Sequence, residues 1–143
     1  MKKIFLFLLT LLVGCSSNMS KGDEKVELDY SIVTTSIEWK DIFIQEEESY
    51  YVYFYSSTCA HCKMIKQDIL SYYLLEKDVI YFICTDEQGV FGKKADITGI
   101  DNIKDFYIFG TPFMIWIKFA KVYKYYAGVN AITELLNSKT NSI

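Results

Sequence analysis

The stretch FYSSTCAHCK, from Phe54 to Lys63, decides how this chain is interpreted. It places Cys59 and Cys62 three positions apart, directly after an apolar and aromatic run, and His61, the only histidine of the chain, lies between them. Cysteine pairs at this spacing are used in metal sites, in haem attachment and in disulfide exchange. The surrounding sequence has to indicate which of these three uses applies to Cys59 and Cys62.

Apolar runs on both sides of the cysteine pair predict buried strands. Residues 50–55 are aromatic or β-branched throughout, which is typical of a central strand buried on both faces, and residues 79–84 are similar. Between the two runs, apolar residues recur at intervals of three and four from Cys62 onward, which predicts a helix. The sequence therefore predicts a βαβ unit with Cys59 at the N-terminus of its helix.

The second half of the chain predicts two more strands and a helix. Gly110-Thr111-Pro112 leads into an apolar run, and residues 113–117 and 122–126 predict an antiparallel pair. Asn130 is expected to cap a final helix with Ile132, Leu135 and Leu136 facing the core. The predicted fold class is α/β, with a βαβ unit followed by ββα.

A short helix is predicted before the first strand. Ser36 is a suitable N-cap for residues 37–45, and Ile37 and Ile44 would face inward. A polar stretch between the two halves contains Gly89, Gly92 and Gly99 and predicts a loop.

Length and charge limit the classes of protein. A chain of 143 residues with 51% hydrophobic content suits one domain with one core. The formal net charge is -3, and no basic cluster is denser than Lys93-Lys94, so nothing attracts the chain to nucleic acid. We expect a monomer with no nucleic-acid partner.

The first 27 residues predict export and a membrane anchor. Two lysines precede the apolar run 4–13, which fits a signal peptide and is shorter than the roughly 20 residues of a spanning helix. Residues 12–15, LVGC, resemble the lipobox of bacterial lipoproteins, which implies removal of residues 1–14 and lipidation of Cys15. The alternative is an ordinary secretory signal with an incidental cysteine.

Residues 15–27 then form a lipidated tether, since they are mostly small, polar and charged, and residues 28–143 form the domain. Without residues 1–14, 13 lysines oppose 18 acidic residues, and the formal net charge becomes -5. The predicted location is extracytoplasmic, with the domain lipid-anchored to the bacterial cell membrane.

The immediate context of the pair favours dithiol chemistry. Haem attachment needs a histidine after the second cysteine, where this chain has Lys63. A structural zinc site needs four ligands, and beyond the pair only Cys84 and His61 are obvious candidates, so no metal site is predicted. A structural disulfide stays possible, but so small a loop contributes little entropic stabilisation.

Physical chemistry assigns different roles to the two cysteines. Cys59, at the helix N-terminus, would be the nucleophile, because unpaired N–H groups and the helix dipole stabilise its thiolate. Cys62, one turn further along on the apolar face, would be the shielded resolving thiol. His61 would donate to the Cys59 thiolate, or else is an exposed loop residue without a role.

The combination of motifs resembles the thioredoxin superfamily over roughly residues 30–138. The resemblance rests on the CxxC that opens the helix, on Gly-Thr-Pro before an apolar strand, and on the hairpin and closing helix. It implies a central mixed sheet flanked by helices, with Pro112 in the cis form beside the cysteine pair. It also implies that Thr111 and Pro112 line the groove that binds protein thiols or disulfides, without a dissociable cofactor.

The sequence departs from the thioredoxin pattern at several positions. Tyr53 stands where the family has a buried acid, and Phe82 stands near the position of the lysine that partners this acid. Thr58 replaces the usual tryptophan, and Ala60-His61 replaces glycine-proline. Cys84, which ends the second strand, is expected to be buried, with a redox or metal role as the alternative.

The predicted function is therefore a thiol–disulfide oxidoreductase outside the cytoplasm. A binding module for an exported peptide, without redox turnover, remains open from sequence, as does electron relay to a membrane electron-transfer partner. The sequence does not choose between oxidation and reduction.

Overall fold

The computed structural model describes residues 25–142. The predicted signal peptide, Cys15 and residues 16–24 of the tether lie outside the described residues. None of the helices within 25–142 has both the length and the apolar character of a membrane span.

The described part of the chain forms one mixed sheet and two α-helices. The elements are β1 Ser49–Tyr55, α1 Ala60–Tyr73, β2 Ile80–Cys84, β3 Phe113–Lys118, β4 Lys121–Ala127 and α2 Gly128–Thr140. Strand β1 pairs in parallel with β2 and antiparallel with β3, β3 pairs antiparallel with β4, and the strand order is β2-β1-β3-β4. This arrangement confirms the α/β class with βαβ followed by ββα.

Strand β1 is the centre of the sheet, as its continuous apolar run predicts. Its side chains alternate between two cores: Tyr50, Val52 and Phe54 face one side, and Tyr51 and Tyr53 face the other. All five are buried, because both faces of the sheet are covered. Neither face of β1 therefore needs polar residues.

Both α-helices cover the same face of the sheet. Their buried side chains pack with Tyr51 and Tyr53, and the opposite face is covered by irregular segments around residues 37–43 and 97–109. Aromatic rings fill that second core, where Phe106 contacts Trp39, Phe43 and Phe54. The buried helical residues are Cys62, Ile65, Ile69, Leu70 and Tyr72 of α1 and Ile132, Leu135 and Leu136 of α2.

The short helix predicted after Ser36 is wrong. Ser36 instead forms an isolated parallel bridge with Phe82, and the helical part is a single 3-10 turn at Trp39–Asp41. Ile44 is 72% exposed rather than core-facing. The free edge of β2 explains the difference, because Phe82 exchanges two backbone hydrogen bonds with residues 35 and 37.

The predicted Asn130 cap is also wrong, because α2 begins at Gly128 with Ala127 as its N-cap and no side-chain cap. Strand β4 continues directly into this helix, and Gly128 N–H donates to the carbonyl oxygen of Pro112 at 3.0 Å. The hairpin turn at Phe119 and Ala120 lacks the usual turn residues, yet both have positive φ angles, 51° and 57°. This left-handed pair matches the twist that two-residue hairpins require.

Candidate active site

Cys59 and Cys62 form a disulfide at the beginning of α1, with their Cα atoms 5.2 Å apart. Cys59 is the N-cap residue, and its Sγ accepts a hydrogen bond from the backbone N–H of Cys62 at 3.1 Å. Cys59 is half-buried, whereas Cys62 is only 2% exposed. Of the two sulfurs, that of Cys59 is therefore the accessible one.

The loop before β3 lies against this disulfide. The carbonyl oxygen of Thr111 is 3.3 Å from Cys59 Sγ, and the bond between Thr111 and Pro112 is cis. Strand pairing causes this approach, because the end of β1 at Phe54 lies opposite the start of β3 at Phe113. The structure thus brings four predicted site residues together: Cys59, Cys62, Thr111 and Pro112.

His61 is exposed beside a shallow groove rather than bonded to the cysteines. Within residues 25–142, no hydrogen bond joins its imidazole to Cys59 or to another group. Its predicted role toward the thiolate therefore stays a prediction. The groove is lined by His61, Met64, Thr111, Pro112, Val129 and Asn130 together with Ala127 and Gly128.

Asp86 is a residue of this region that the sequence reasoning missed. Its Oδ1 accepts hydrogen bonds from the Ser56 hydroxyl at 2.7 Å and from the Ser57 backbone N–H at 3.0 Å. These bonds from Ser57 and Ser56 lower the pKa of Asp86 to about 2. The sequence does contain an indication of this placement, because Asp86 comes just after β2. The carboxyl ends of parallel strands lie at the same edge of a sheet, so Asp86 is expected near the residues that follow β1.

Cys84 has a free thiol at the same end of the sheet and pairs with Tyr55 in the β1–β2 register. It is half-buried, so the expectation of a buried side chain is only partly met. Burial raises the pKa of the Cys84 thiol, and the neighbouring Asp86 carboxylate raises it further. At neutral pH the Cys84 sulfur is therefore a protonated, weakly nucleophilic thiol.

Tyr53 and Phe82 occupy adjacent positions on β1 and β2 beneath α1, with ring centroids 5.7 Å apart. Tyr53 is fully buried, and burial raises its pKa well above the ordinary value. Its hydroxyl lies 3.5 Å from the Tyr30 hydroxyl. Two uncharged rings thus fill the positions at which the resemblance implies an acid and a lysine.

Metal-ligating side chains do not cluster in the described part of the chain. Within residues 25–142, no three His, Cys, Asp or Glu side chains are grouped as potential ligands. In this oxidised state, the sulfurs of Cys59 and Cys62 are bonded to each other.

Sequence comparisons find no relatives, since no family model and no curated protein matches this chain. Solved structures do match. Oxidised mitochondrial thioredoxin 3 from Saccharomyces cerevisiae matches with TM-score 0.52 and 16% identity, over 74% of this chain and 93% of that chain. Thioredoxin f2 from Chlamydomonas reinhardtii matches with TM-score 0.51 and 12% identity, over 75% and 94%.

A third match comes from the structure that describes the thiol resolving mechanism in yeast mitochondrial 1-Cys peroxiredoxin via glutathione/thioredoxin systems. Its TM-score is 0.54 at 16% identity, over 79% of this chain and 99% of that chain. All three matches have a TM-score above 0.5 and span at least 93% of the solved chain. The chain therefore adopts the thioredoxin fold.

Proposed function

We propose that this chain is a thiol–disulfide oxidoreductase that exchanges disulfides with protein cysteines through Cys59 and Cys62. The proposal rests on the position of the Cys59 sulfur. This half-buried sulfur belongs to a disulfide at a helix N-terminus and accepts a hydrogen bond from the Cys62 N–H. It also faces the Thr111-Pro112 loop. A purely structural disulfide has no need of such a position.

The backbone around Cys59 favours the reactive form of its sulfur. In the reduced state, the Cys62 N–H would donate to the thiolate, and the positive end of the α1 dipole would add to its stabilisation. Both effects lower the pKa of a cysteine at such a site, and the thiolate is the nucleophilic form. Cys59 therefore suits the attacking role and the buried Cys62 the resolving role.

Disulfide exchange at Cys59 and Cys62 would proceed by two successive displacements. The Cys59 thiolate attacks one sulfur of a substrate disulfide, the substrate S–S bond breaks, and the departing substrate thiolate takes a proton from water. Cys62 then loses its proton and attacks the Cys59 sulfur, which releases the second substrate thiolate and forms the Cys59–Cys62 disulfide. Two electrons pass to the substrate, and the reverse sequence oxidises a substrate dithiol.

A turnover assay tests this proposal. The chain should accelerate the reduction of insulin disulfides by dithiothreitol, and Cys59→Ser should remove the acceleration, because no attacking thiolate remains. Cys84→Ser is the matched control and should stay active. If a Cys59→Ser/Cys62→Ser variant still supports function in cells, the protein is a binding module instead.

We also propose that the domain is held outside the cytoplasm by a lipid on Cys15, where it exchanges electrons with protein thiols and with a membrane electron-transfer partner. The order of lysines, apolar run, glycine and cysteine supports the anchor. Labelling cells with a radioactive lipid precursor tests it: the wild type and Cys84→Ala should take up label. Label that persists in Cys15→Ala would contradict the anchor.

A further inference from the structure

We infer that Asp86 is a positioning residue for Cys59, because its carboxylate holds the turn Ser56–Thr58 that leads into the reactive cysteine. This inference rests on the proposed function, since the direction of the Cys59 sulfur matters only if that sulfur attacks a disulfide.

A single carboxylate accepts hydrogen bonds from two residues of this turn. Asp86 Oδ1 accepts from the Ser56 hydroxyl at 2.7 Å and from the Ser57 N–H at 3.0 Å. The Ser56 hydroxyl oxygen in turn accepts from the Thr58 N–H at 3.3 Å, and the Cys59 N–H donates to the Ser56 carbonyl oxygen at 3.3 Å. The backbone from residue 56 to residue 59 is thus tied to Asp86 directly or through Ser56.

Asp86 is itself fixed to the central sheet. The preceding residue, Thr85, donates from its N–H at 2.8 Å and from its hydroxyl at 3.1 Å to the carbonyl oxygen of Tyr55, the last residue of β1. The turn leaves β1 directly after Tyr55, and Asp86 therefore ties it to the end of β2 as well. Its carboxylate is ionised at neutral pH, and hydrogen bonds to an ionised acceptor are the stronger kind.

Asp86 does not line the groove beside His61 and Pro112. Substitution of Asp86 should therefore act through the turn and not through direct contact with a bound substrate. A misplacement of about 1 Å can cost a reaction up to about a hundredfold in rate. Loss of the carboxylate should therefore lower the rate of attack by Cys59 even when the protein remains folded.

The test compares Asp86→Ala, Asp86→Asn and the exposed neighbour control Glu87→Gln in the full chain. For Asp86→Ala we expect kcat/KM for insulin reduction, taken at its high-pH plateau where Cys59 is fully ionised, to fall about tenfold. Asp86→Asn keeps an oxygen acceptor for Ser57 and should recover the rate to within about threefold of wild type. Glu87→Gln should match wild type, and circular dichroism should show all variants folded.

Hydrogen exchange of the Ser57 amide gives a readout that does not depend on activity. Its exchange should accelerate at least about tenfold in Asp86→Ala and stay near wild type in Asp86→Asn, because the N–H loses its acceptor only in the first variant. An unchanged Ser57 amide, or an unchanged plateau rate, in folded Asp86→Ala would overturn the role of Asp86. A fully active Cys59→Ser variant would instead overturn the proposed function.

Discussion

The sulfur of Cys59 and the carbonyl oxygen of Thr111 lie 3.3 Å apart although 52 positions separate them in the sequence. The contact follows from the antiparallel pairing of β1 with β3, which sets the end of one strand against the start of the other. Under the proposed function, a partner bound beside Pro112 would present its sulfur to Cys59. Cys62, 2% exposed, would remain out of its reach.

Replacement of the buried cysteine should trap this encounter. In Cys62→Ala the resolving thiol is absent, so partners should accumulate as mixed disulfides on Cys59. Non-reducing gels followed by mass spectrometry would identify the adducts and the cysteine that carries them. A Cys59→Ala/Cys62→Ala variant serves as the control and should carry none, whereas adducts mainly on Cys84 would show that the roles are misassigned.

Removal of His61 should make the cysteine pair less oxidising. A charge-assisted hydrogen bond from its imidazole to the reduced Cys59 would be worth about 1.5–3 kcal/mol, which corresponds to about 30–60 mV for two electrons. Glutathione titration of wild type and His61→Ala should show a drop of this size, with the exposed Lys63→Ala as the control.

We expect the wild-type potential to lie above the value of about -270 mV that is typical of thioredoxin. An equal potential in His61→Ala and wild type would mean that the exposed imidazole does not reach the thiolate.

The packing of α1 on the sheet should account for a large part of the stability. Ile69 is fully buried between α1 and the sheet, so Ile69→Ala should reduce the free energy of unfolding by about 2–5 kcal/mol. Ile44→Ala removes the same atoms from a side chain that is 72% exposed and should change it by less than about 0.5 kcal/mol. Urea unfolding would compare the two, and equal losses would contradict the observed burial.

The Tyr53 hydroxyl should contribute little to stability or to proton transfer. Its distance of 3.5 Å from the Tyr30 hydroxyl is at the limit for a hydrogen bond, and burial keeps its pKa high. Tyr53→Phe should therefore change the free energy of unfolding by no more than about 1 kcal/mol and leave the pH profile of exchange unmoved. A shifted profile would show that this hydroxyl takes part in the proton transfers of the reaction.

Acid should weaken the fold partly through Asp86. Its folded-state pKa of about 2 lies below the ordinary value, so the stabilisation it provides is complete above about pH 4 and is lost as the pH falls through 2. The stability difference between wild type and Asp86→Asn, from urea unfolding, should therefore shrink between about pH 4 and pH 2. Glu87→Gln controls for the loss of one acidic charge in the same loop. A stability difference between wild type and Asp86→Asn that stays constant with pH would contradict the lowered pKa of Asp86.

Much of the fold could be predicted from sequence because it follows from local patterns. The run 50–55 is aromatic or β-branched throughout, which favours a strand buried on both faces, and the apolar spacing after Cys62 favours a helix that begins beside Cys59; the structure has both. The position of the cysteine pair at a helix N-terminus, and hence the chemistry proposed for it, depends on the consecutive residues 50–84.

Tertiary structure decided the features that depend on distant partners. Ser36 has the local character of a helix cap, but the free backbone groups of β2 bind the chain at residues 35 and 37 and hold it extended. From the sequence, Asp86 is an ordinary acidic residue of a loop. The parallel pairing of β1 and β2 places it within hydrogen-bond distance of Ser56 and Ser57. Backbone and side-chain polar groups that are buried, or that lie at a sheet edge, need hydrogen-bond partners. The tertiary fold decides which distant residues become these partners, and the periodicity of the sequence does not show which they are.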